Sequence, residues 1–439
     1  MGSKVVKFGG SSLADADQFR KVAAIVRADG DRRYVVPSAP GKRSSADTKV
    51  TDMLYGCHGA TGTELAGKVA AIRARYDGIV AGLGLTLDLG PEFARMEETI
   101  AAGATADYCA SRGEYLNGIV MAAYLGIPFV DAAEVIFFAG NGQLDERRTW
   151  DGLRTRLQSM ERAVVPGFYG SAPDGQVKTF SRGGSDITGA LVAWAVGADV
   201  YENWTDVSGV LAADPRIVKN ARPIEVISYK ELRELSYMGA SVLHEDAIFP
   251  VRKAGIPIHI RNTNAPSEPG TLIQAAIPAG VAASVVTGIA GRKGYSVLSM
   301  EKAMMNSELG FGRRVLAVLE DLGISFEHLP TGIDTLSVLV ESHYLDGRRD
   351  QVLHALYEAV DPDEIEIIDG ISLIATVGRG MVEHRGTAAR LFGALAQAGI
   401  NIRMIDQGSS ELNIIVGVVT EDFEAAIRAI YGEFCAERG

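Results

Sequence analysis

Two stretches in the last third of the chain carry the same pattern of residues, and this duplication constrains the fold more than any other feature. Gly310 begins the first helix-like stretch and Gly323 ends it, while Gly386 and Gly399 bound the second, 76 residues later. A glycine in the left-handed conformation commonly ends a helix. The same offset pairs further positions: Arg314 with Arg390, Gly332 with Gly408 and Leu336 with Leu412.

Each helix-like stretch leads to Gly-Ile, an extended run, a turn with glycine and a second extended run. The second runs are Leu336–Val340 and Leu412–Val419. This order predicts two βαββαβ units of ferredoxin-like type. We place them at about 295–362 and about 370–435, with 284–291 as a strand of the second unit.

The preceding part of the chain alternates short apolar runs with helical patterns. Such alternation predicts an α/β fold of three layers, in which helices cover both faces of a mostly parallel sheet. Proline and glycine residues between 264 and 283 predict a boundary, so we divide the chain into domains 1–282 and 283–439. The candidate strands are Val5–Phe8, Tyr34–Val36, Ile127–Val130, Ala163–Val165, Val177–Phe180, Val200–Asn203 and Ile256–Ile260.

The charge balance and cysteine content exclude several classes of protein. A net charge of -12 over 439 residues argues against a nucleic-acid surface. No apolar run approaches the roughly 20 residues that a membrane span needs, and no signal-peptide pattern begins the chain. Three cysteines without a CxxC pair indicate neither disulfides nor a zinc site. We therefore expect a cytoplasmic protein without a metal site of its own.

Two glycine-rich turns follow candidate strands, each beside a cationic residue. Lys7 lies near the end of the first strand and precedes Gly9, Gly10 and Ser11, whose backbone N–H groups could approach a phosphate. An ordinary turn with a solvated lysine explains the same residues. The second turn, Arg182–Asp186, opens another helix, and Ser185 or Asp186 could simply cap it. Together the two turns make a site for two anions plausible.

The motifs in their order resemble those of aspartate kinases. They are Lys7–Ser12, Ser181–Thr188, Thr205–Arg216 and Val242-Leu243-His244. The duplicated tail is similar to the paired ACT domains of that family. The first motif alone marks only the wider amino-acid kinase superfamily, but its combination with two ACT-like repeats makes the resemblance to aspartate kinases specific, and we expect a monofunctional member. The resemblance implies phosphorylation of the L-aspartate side chain by ATP, the first step toward lysine, threonine and methionine.

The resemblance also implies roles for single residues. Lys7 and Asp186 would be catalytic, with Asp186 and Ser185 organising the reacting groups. Glu114 would bind the ammonium of aspartate and Arg182 its α-carboxylate. Other residues would complete the two sites: Gly9, Gly10, Ser11, Thr205, Asp206, Leu211 and Arg216 for ATP with Mg2+, and Ser38, Thr51, Gly183 and Gly184 for aspartate.

This chemistry suits the residues present. The side-chain carboxylate of aspartate has a reference pKa of about 3.9, so it is already ionised at neutral pH. No general base is needed, and catalysis reduces to in-line positioning and to neutralising phosphate charge. The Mg2+ would be held mainly through the phosphates.

The sequence departs from the family pattern beside the nucleotide. Ser241 stands where better-known members have a lysine, and Leu211 where many have a tyrosine. Our hypothesis is that Lys42, Lys49 or Lys253 supplies the missing charge. An atypical binding mode or a weakly active enzyme would also fit these departures.

The tail is expected to bind a regulatory amino acid. Glu327 would pair with the ammonium of this effector, and backbone groups around Phe311, Gly312 and Phe326 would take its carboxylate. Well-known lysine-inhibited members have Ser-Glu where this chain has Gly332-Ile333, so lysine is only slightly favoured over threonine. Because ACT repeats commonly pair edge to edge, we expect a homodimer or a higher homo-oligomer.

Two alternatives fit part of the sequence. A kinase for another amino acid, such as glutamate or acetylglutamate, would share the first motif but would lack the paired repeats. An amino-acid sensor with an inactive kinase domain would explain Ser241 and Leu211, although Lys7, Arg182 and Asp186 are all present.

Overall fold

A computed structural model describes residues 2–181, 183–240, 243, 245–275, 277 and 284–435. Its contacts form two compact units. The first comprises Met1–Val210, Pro223–Tyr229 and Val242–Ala279, and the second comprises Leu211–Arg222, Lys230–Ser241 and Gly280–Gly439. Two short segments from the N-terminal part thus group with the C-terminal residues. The predicted boundary at 282/283 stays a prediction.

The residues up to 279 form nine strands and nine helices in the described part of the chain. The strands are β1 (Lys4–Phe8), β2 (Arg32–Pro37), β3 (Ala163–Val164), β4 (Tyr169–Ser171), β5 (Val177–Thr179), β6 (Val200–Thr205), β7 (Val226–Ser228), β8 (Ile258–Asn262) and β9 (Thr271–Gln274). The helices are α1 (Ala16–Arg27), α2 (Val50–Tyr55), α3 (Gly62–Gly82), α4 (Gly90–Ala101), α5 (Ala106–Leu125), α6 (Glu146–Leu157), α7 (Gly184–Val196), α8 (Tyr229–Tyr237) and α9 (Glu245–Ala254).

The sheet of the first unit has the order β3-β2-β1-β6-β8-β9-β7. β8 and β9 pair antiparallel, and the other neighbours pair parallel. Side chains alternate across it: Val6 and Phe8 join a core cluster with residues of α1, α3 and α5, whereas Lys7 faces α7. Helices therefore cover both faces, and the predicted three-layer α/β/α fold is confirmed.

Two strand predictions differ from the structure. Ile127–Val130 forms only a single bridge, Phe129 to Val164, partly because Pro128 has no N–H to donate. Val177–Phe180 corresponds to β5, but β5 pairs with β4 in a separate two-stranded sheet. Apolar runs alone did not distinguish these segments from strands of the main sheet.

The second unit contains a six-stranded antiparallel sheet with the order β11-β12-β10-β13-β15-β14. Its strands are β10 (Gly288–Glu301), β11 (Phe326–His328), β12 (Thr335–Glu341), β13 (Glu364–Val377), β14 (Met404–Asp406) and β15 (Asn413–Val419). Its further helices are α10 (Phe311–Asp321), α11 (Arg349–Val360), α12 (Thr387–Gln397) and α13 (Phe423–Phe434). β10 and β13 pair along nearly their whole length, so both repeats share them. The predicted ferredoxin-like ACT folds are confirmed.

The 76-residue offset does not hold throughout. Ser296 of β10 pairs with Val340, and Ser372, 76 residues later, pairs with Val418, which lies 78 residues after Val340. Leu336 therefore corresponds to Ile414, and its predicted match with Leu412 is wrong. The second repeat has two extra residues between its first helix and its third strand, so a constant offset fails there.

No helix among the described residues is long and apolar enough to cross a membrane. Those residues also contain no group of three or more His, Cys, Asp or Glu side chains that could hold a metal ion. Cys57, Cys109 and Cys435 are buried and free.

Candidate functional site

The carboxyl end of β1 carries a buried ion pair. Lys7 Nζ lies 2.5 Å from Asp186 Oδ1 on the first turn of α7. The two side chains are only 10% and 16% exposed, so water screens them weakly. A cation at the end of a central parallel strand is well placed to meet an anion there. The structure thus brings together the two predicted catalytic residues, which are 179 positions apart in the sequence.

Asn203, which our sequence reasoning missed, joins the same cluster. It lies opposite Lys7 in the pairing of β1 with β6. Its Nδ2 donates to Asp186 Oδ1 at 2.8 Å, and its Oδ1 accepts from Lys7 Nζ at 3.5 Å. An asparagine in a strand is inconspicuous in one sequence, and only the pairing of β1 with β6 reveals its place beside Lys7.

The first glycine-rich turn packs against the loop after β2. A Cβ on Gly41 would lie 2.6 Å from the backbone of Gly10, so only glycine permits this approach. Gly9 N donates to Trp204 O at 3.0 Å, which holds the turn beside the end of β6. Ser11 is exposed. The predicted phosphate-binding residues therefore form a surface turn directly after Lys7.

The second glycine-rich turn precedes α7. Gly183 is the N-cap residue with φ of 59°, and no side chain caps the helix there. The simple capping alternative for Ser185 and Asp186 is therefore wrong, because Asp186 pairs with Lys7. Ser185 is buried against Gly167, where a Cβ would lie 2.6 Å away. Arg182, the predicted partner of the substrate carboxylate, lies outside the described residues.

Glu114 on α5 is a buried carboxyl group in the predicted aspartate site. Gly113 lets the helix approach the loop after β2, since a Cβ there would lie 2.8 Å from Ala39 Cβ. Burial raises the pKa of Glu114 to about 8, against a smaller lowering by the backbone of Ala39 and by Arg112. Its Oε2 has no hydrogen-bond partner among the described residues. A ligand ammonium would satisfy that atom and favour the ionised form.

Ser38 and Thr51 border the same region. Ser38 N donates to Phe8 O at 3.0 Å, and Ser38 O accepts from Asn117 Nδ2 at 2.6 Å, which ties the loop to β1 and α5. Thr51 is half-buried on α2. Arg75, which sequence reasoning missed, donates to Gly41 O and Asp47 Oδ2, both at 2.9 Å. These bonds attach the loop from Gly41 to Asp47 to helix α3.

The predicted nucleotide residues do not all fall in one unit. Thr205 ends β6 in the first unit, and the exposed Asp206 follows it. Leu211 and Arg216 belong to the second unit. Arg216 is highly exposed and its Nη2 lies 2.7 Å from Asp214 Oδ2. A joint nucleotide site of these residues stays a prediction.

The replacement for the lysine expected at position 241 also stays a hypothesis. Ser241, Val242 and His244 lie outside the described residues. Of the candidate substitutes, Lys42 and Lys49 are exposed. Lys253 lies 3.4 Å from Glu146 Oε2 and over the ring of Trp194, so its charge already has a partner.

The predicted effector residues cluster around α10 and β11. Phe311 is buried at the start of α10, Gly312 follows it, and Phe326 is 43% exposed. Glu327 Oε2 accepts a hydrogen bond of 2.5 Å from the hydroxyl of Tyr237 on α8. The pairing of β11 with β12 shifts register between Phe326 and His328, at Glu327 itself. Tyr237 was missed because it is 90 positions away in the sequence.

Comparison with known proteins identifies the class of this site. The model of the amino acid kinase family matches residues 3–262, and that of an ACT domain matches residues 374–434. Aspartokinase 3 of Bacillus subtilis is 38% identical over 99% of both chains.

Solved structures agree with these matches. The aspartate kinase of Clostridium acetobutylicum, described as an allosteric enzyme, is 50% identical and superimposes with a TM-score of 0.91 over 99% of both chains. Aspartokinase III of E. coli, at 26% identity over 99% of this chain and 100% of that chain, superimposes with TM-scores of 0.75 in complex with aspartate and ADP and 0.72 in complex with lysine and aspartate.

Proposed function

This chain belongs to the amino acid kinase family, and within it to the aspartokinases, which phosphorylate the side-chain carboxylate of L-aspartate with ATP; from that premise we propose which of its residues perform the reaction. The observation that carries the proposal is the Lys7–Asp186 pair at the end of β1. The product is 4-phospho-L-aspartate.

Lys7 supplies the positive charge at the transferring phosphoryl group. Its ammonium stands at the end of the strand, directly before the turn of Gly9, Gly10 and Ser11, whose N–H groups bind phosphate oxygens. Asp186 holds Lys7 in place until the phosphate arrives. Charge on the equatorial phosphate oxygens is then met by fixed donors, which is the main catalytic contribution in phosphoryl transfer.

Glu114 binds the amino group of the substrate. Its ionised carboxylate pairs with the α-ammonium of aspartate, and Arg182 pairs with the α-carboxylate. Ser38, Thr51, Gly183, Gly184 and Ser185 complete the pocket. With both α-groups fixed, the side-chain carboxylate is aimed at the γ-phosphorus of ATP. It attacks in the ionised form, so the reaction needs no proton acceptor.

Mg2+ would accompany ATP, held mainly through the phosphate oxygens, and would offset the negative charge on them. Thr205 and Asp206 bind the nucleotide at the end of β6, and Leu211 and Arg216 contribute from the segment that follows. Because the position of the usual tyrosine is Leu211, we expect weaker contact with the nucleotide than in relatives with an aromatic residue.

The C-terminal region, 283–439 in our division, regulates the kinase as two ACT domains. We assign its ligand as an amino acid, with lysine preferred to threonine, and Glu327 as the partner of the ligand's ammonium. The E. coli relative solved with lysine and aspartate supports lysine as the first choice. A homodimer through the ACT domains and a cytoplasmic location remain predictions.

A coupled assay of ADP release over a panel of amino acids tests the proposal. Aspartate should support turnover with Mg2+ and ATP, while glutamate and acetylglutamate should not. Selective turnover of either of those two would assign another substrate. Lysine binding without turnover of any amino acid would instead favour the inactive sensor.

A further inference from the structure

The two ends of one buried amide contact both members of the catalytic ion pair. Asn203 is 3% exposed on β6 and lies opposite Lys7 in the parallel register. Its Nδ2 donates to Asp186 Oδ1 at 2.8 Å, and its Oδ1 accepts from Lys7 Nζ at 3.5 Å. The side-chain amide of Asn203 is thus hydrogen-bonded to the carboxylate of Asp186 and to the ammonium of Lys7.

A second residue of the same strand holds the backbone of Asp186. Tyr201 lies two positions before Asn203, so both side chains point to the same face of β6. The Tyr201 hydroxyl donates to Asp186 O at 3.0 Å. The Tyr201 bond attaches the backbone of α7 to β6 and does not contact the Asp186 carboxylate, whereas Asn203 bonds to the carboxylate itself.

The chemistry of the reaction gives the amide a task that a carboxylate could not perform. When a phosphate oxygen approaches, the ammonium of Lys7 must turn toward it and partly leave Asp186. A neutral amide can hold the Asp186 oxygen and offer Lys7 an acceptor without adding negative charge. A carboxylate at position 203 would compete with the phosphate for the ammonium and would face Asp186 with a like charge.

From these contacts we infer that Asn203 is a positioning residue for phosphoryl transfer, which sets the geometry of Lys7 and Asp186 without touching substrate. This inference rests on the roles proposed for those two residues. Turnover of aspartate by the wild-type chain tests the proposed function, whereas the ratio of variant to wild-type turnover tests this inference.

The experiment compares three variants of the full chain at saturating ATP and varied aspartate. Asn203→Leu removes both bonds at similar volume, and Asn203→Asp keeps the shape but replaces the donor with a second carboxylate. Tyr201→Phe is the matched control, since it removes a buried bond to the same residue of α7 but leaves the side-chain cluster intact. Melting temperatures are recorded for all three variants.

Asn203→Leu should lower kcat by about 10- to 100-fold, the cost of a small misplacement of reacting groups, with the KM for aspartate within about threefold of wild type. Asn203→Asp should lower kcat by at least the same factor. Tyr201→Phe should keep kcat within about threefold, even where it melts at a lower temperature.

Two outcomes would overturn the inference. One is a folded Asn203→Leu or Asn203→Asp protein with kcat close to wild type. The other is a loss of kcat in Tyr201→Phe equal to that in Asn203→Leu, which would mean that both residues act through stability alone. If Asn203→Leu does not fold, the kcat of the isosteric Asn203→Asp protein tests the inference instead.

Discussion

The polar groups that we predict to be functional are buried in the first unit and partly exposed in the second. In the first, Lys7 near the carboxyl end of β1 is 8% exposed, and Glu114 on α5 is 5% exposed. In the second, the corresponding group is on an edge strand: Glu327 is half-buried, and its partner Tyr237 is 54% exposed. A buried charge pair has few alternative arrangements, whereas an edge pair can exchange partners with water or a ligand.

From this difference in burial we expect the first unit to carry out the reaction and the edge of the second unit to regulate it. Substitutions in the first unit should change turnover or substrate affinity, because weak screening makes each charge there count. Substitutions on the edge of the second unit should change the response to an effector and leave uninhibited turnover nearly intact.

The two repeats of the second unit share a scaffold but differ in their edge strands. Gly310 and Gly386, with φ of 80° and 85°, precede helices of 11 residues each, so the scaffold is the same. The edge strands differ, because β11 shifts register at Glu327 and β14 pairs regularly from Met404 to Asp406. Such irregularities turn a side chain in a new direction. We therefore expect the first repeat to hold the effector.

The largest effect should come from Lys7→Ala. The loss of a positive charge at the transferring group should lower kcat by about 10³-fold while the fold persists. Lys4→Ala, at the other end of the same strand and paired with Asp29, is the control and should keep nearly full activity. A folded Lys7→Ala protein with more than about a tenth of wild-type turnover would remove Lys7 from the mechanism.

Glu114→Gln should raise the KM for aspartate by about 10- to 100-fold with little change in the KM for ATP. The raised pKa of Glu114, about 8, adds a pH dependence. Aspartate binding requires the ionised carboxylate, so the wild-type KM should fall as pH rises from 6 to 8, by up to about tenfold per unit.

The Glu114→Gln protein should lose that slope, and exposed Glu98→Gln in the same unit should behave as wild type. An unchanged KM for aspartate beside a raised KM for ATP would show that the two sites are exchanged.

In the second unit, Glu327→Ala should weaken inhibition by lysine about tenfold or more, the value of a charged hydrogen bond, without changing uninhibited kcat. Glu383→Ala, an exposed acid of the second repeat, should leave inhibition intact. Equal weakening of inhibition by Glu327→Ala and Glu383→Ala would mean that the two repeats do not differ in effector binding. If neither lysine nor threonine alters activity or melting temperature at millimolar concentration, regulation by these two amino acids fails.

The smallest effect is expected for Tyr237→Phe. Without its hydroxyl, Glu327 loses a competing partner, so lysine should bind about two- to tenfold more tightly, as measured by calorimetry. Tyr357→Phe, half-exposed on α11, is the control. Weaker binding to Tyr237→Phe would mean that this hydroxyl contacts the effector directly.

The sequence allowed the fold to be predicted well, because glycines and apolar periods repeat locally. The duplicated helices could be read from Gly310 and Gly386, although two extra residues broke the offset before β15. The meeting of Lys7 with Asp186 came only from resemblance to a family, since no local pattern links positions so far apart. Asn203 and Tyr237 were missed for the same reason: a strand asparagine and a surface tyrosine acquire meaning only from their partners in space.

The central claim is that the Lys7–Asp186 pair directs a phosphoryl group from ATP to the side-chain carboxylate of aspartate. Trapping with hydroxylamine tests it directly, because an acyl phosphate is converted to a stable hydroxamate. The wild-type chain with Mg2+, ATP and aspartate should form aspartate β-hydroxamate in step with ADP, and Lys7→Ala should form almost none. Release of ADP without hydroxamate, or equal hydroxamate from wild type and Lys7→Ala, would contradict the account.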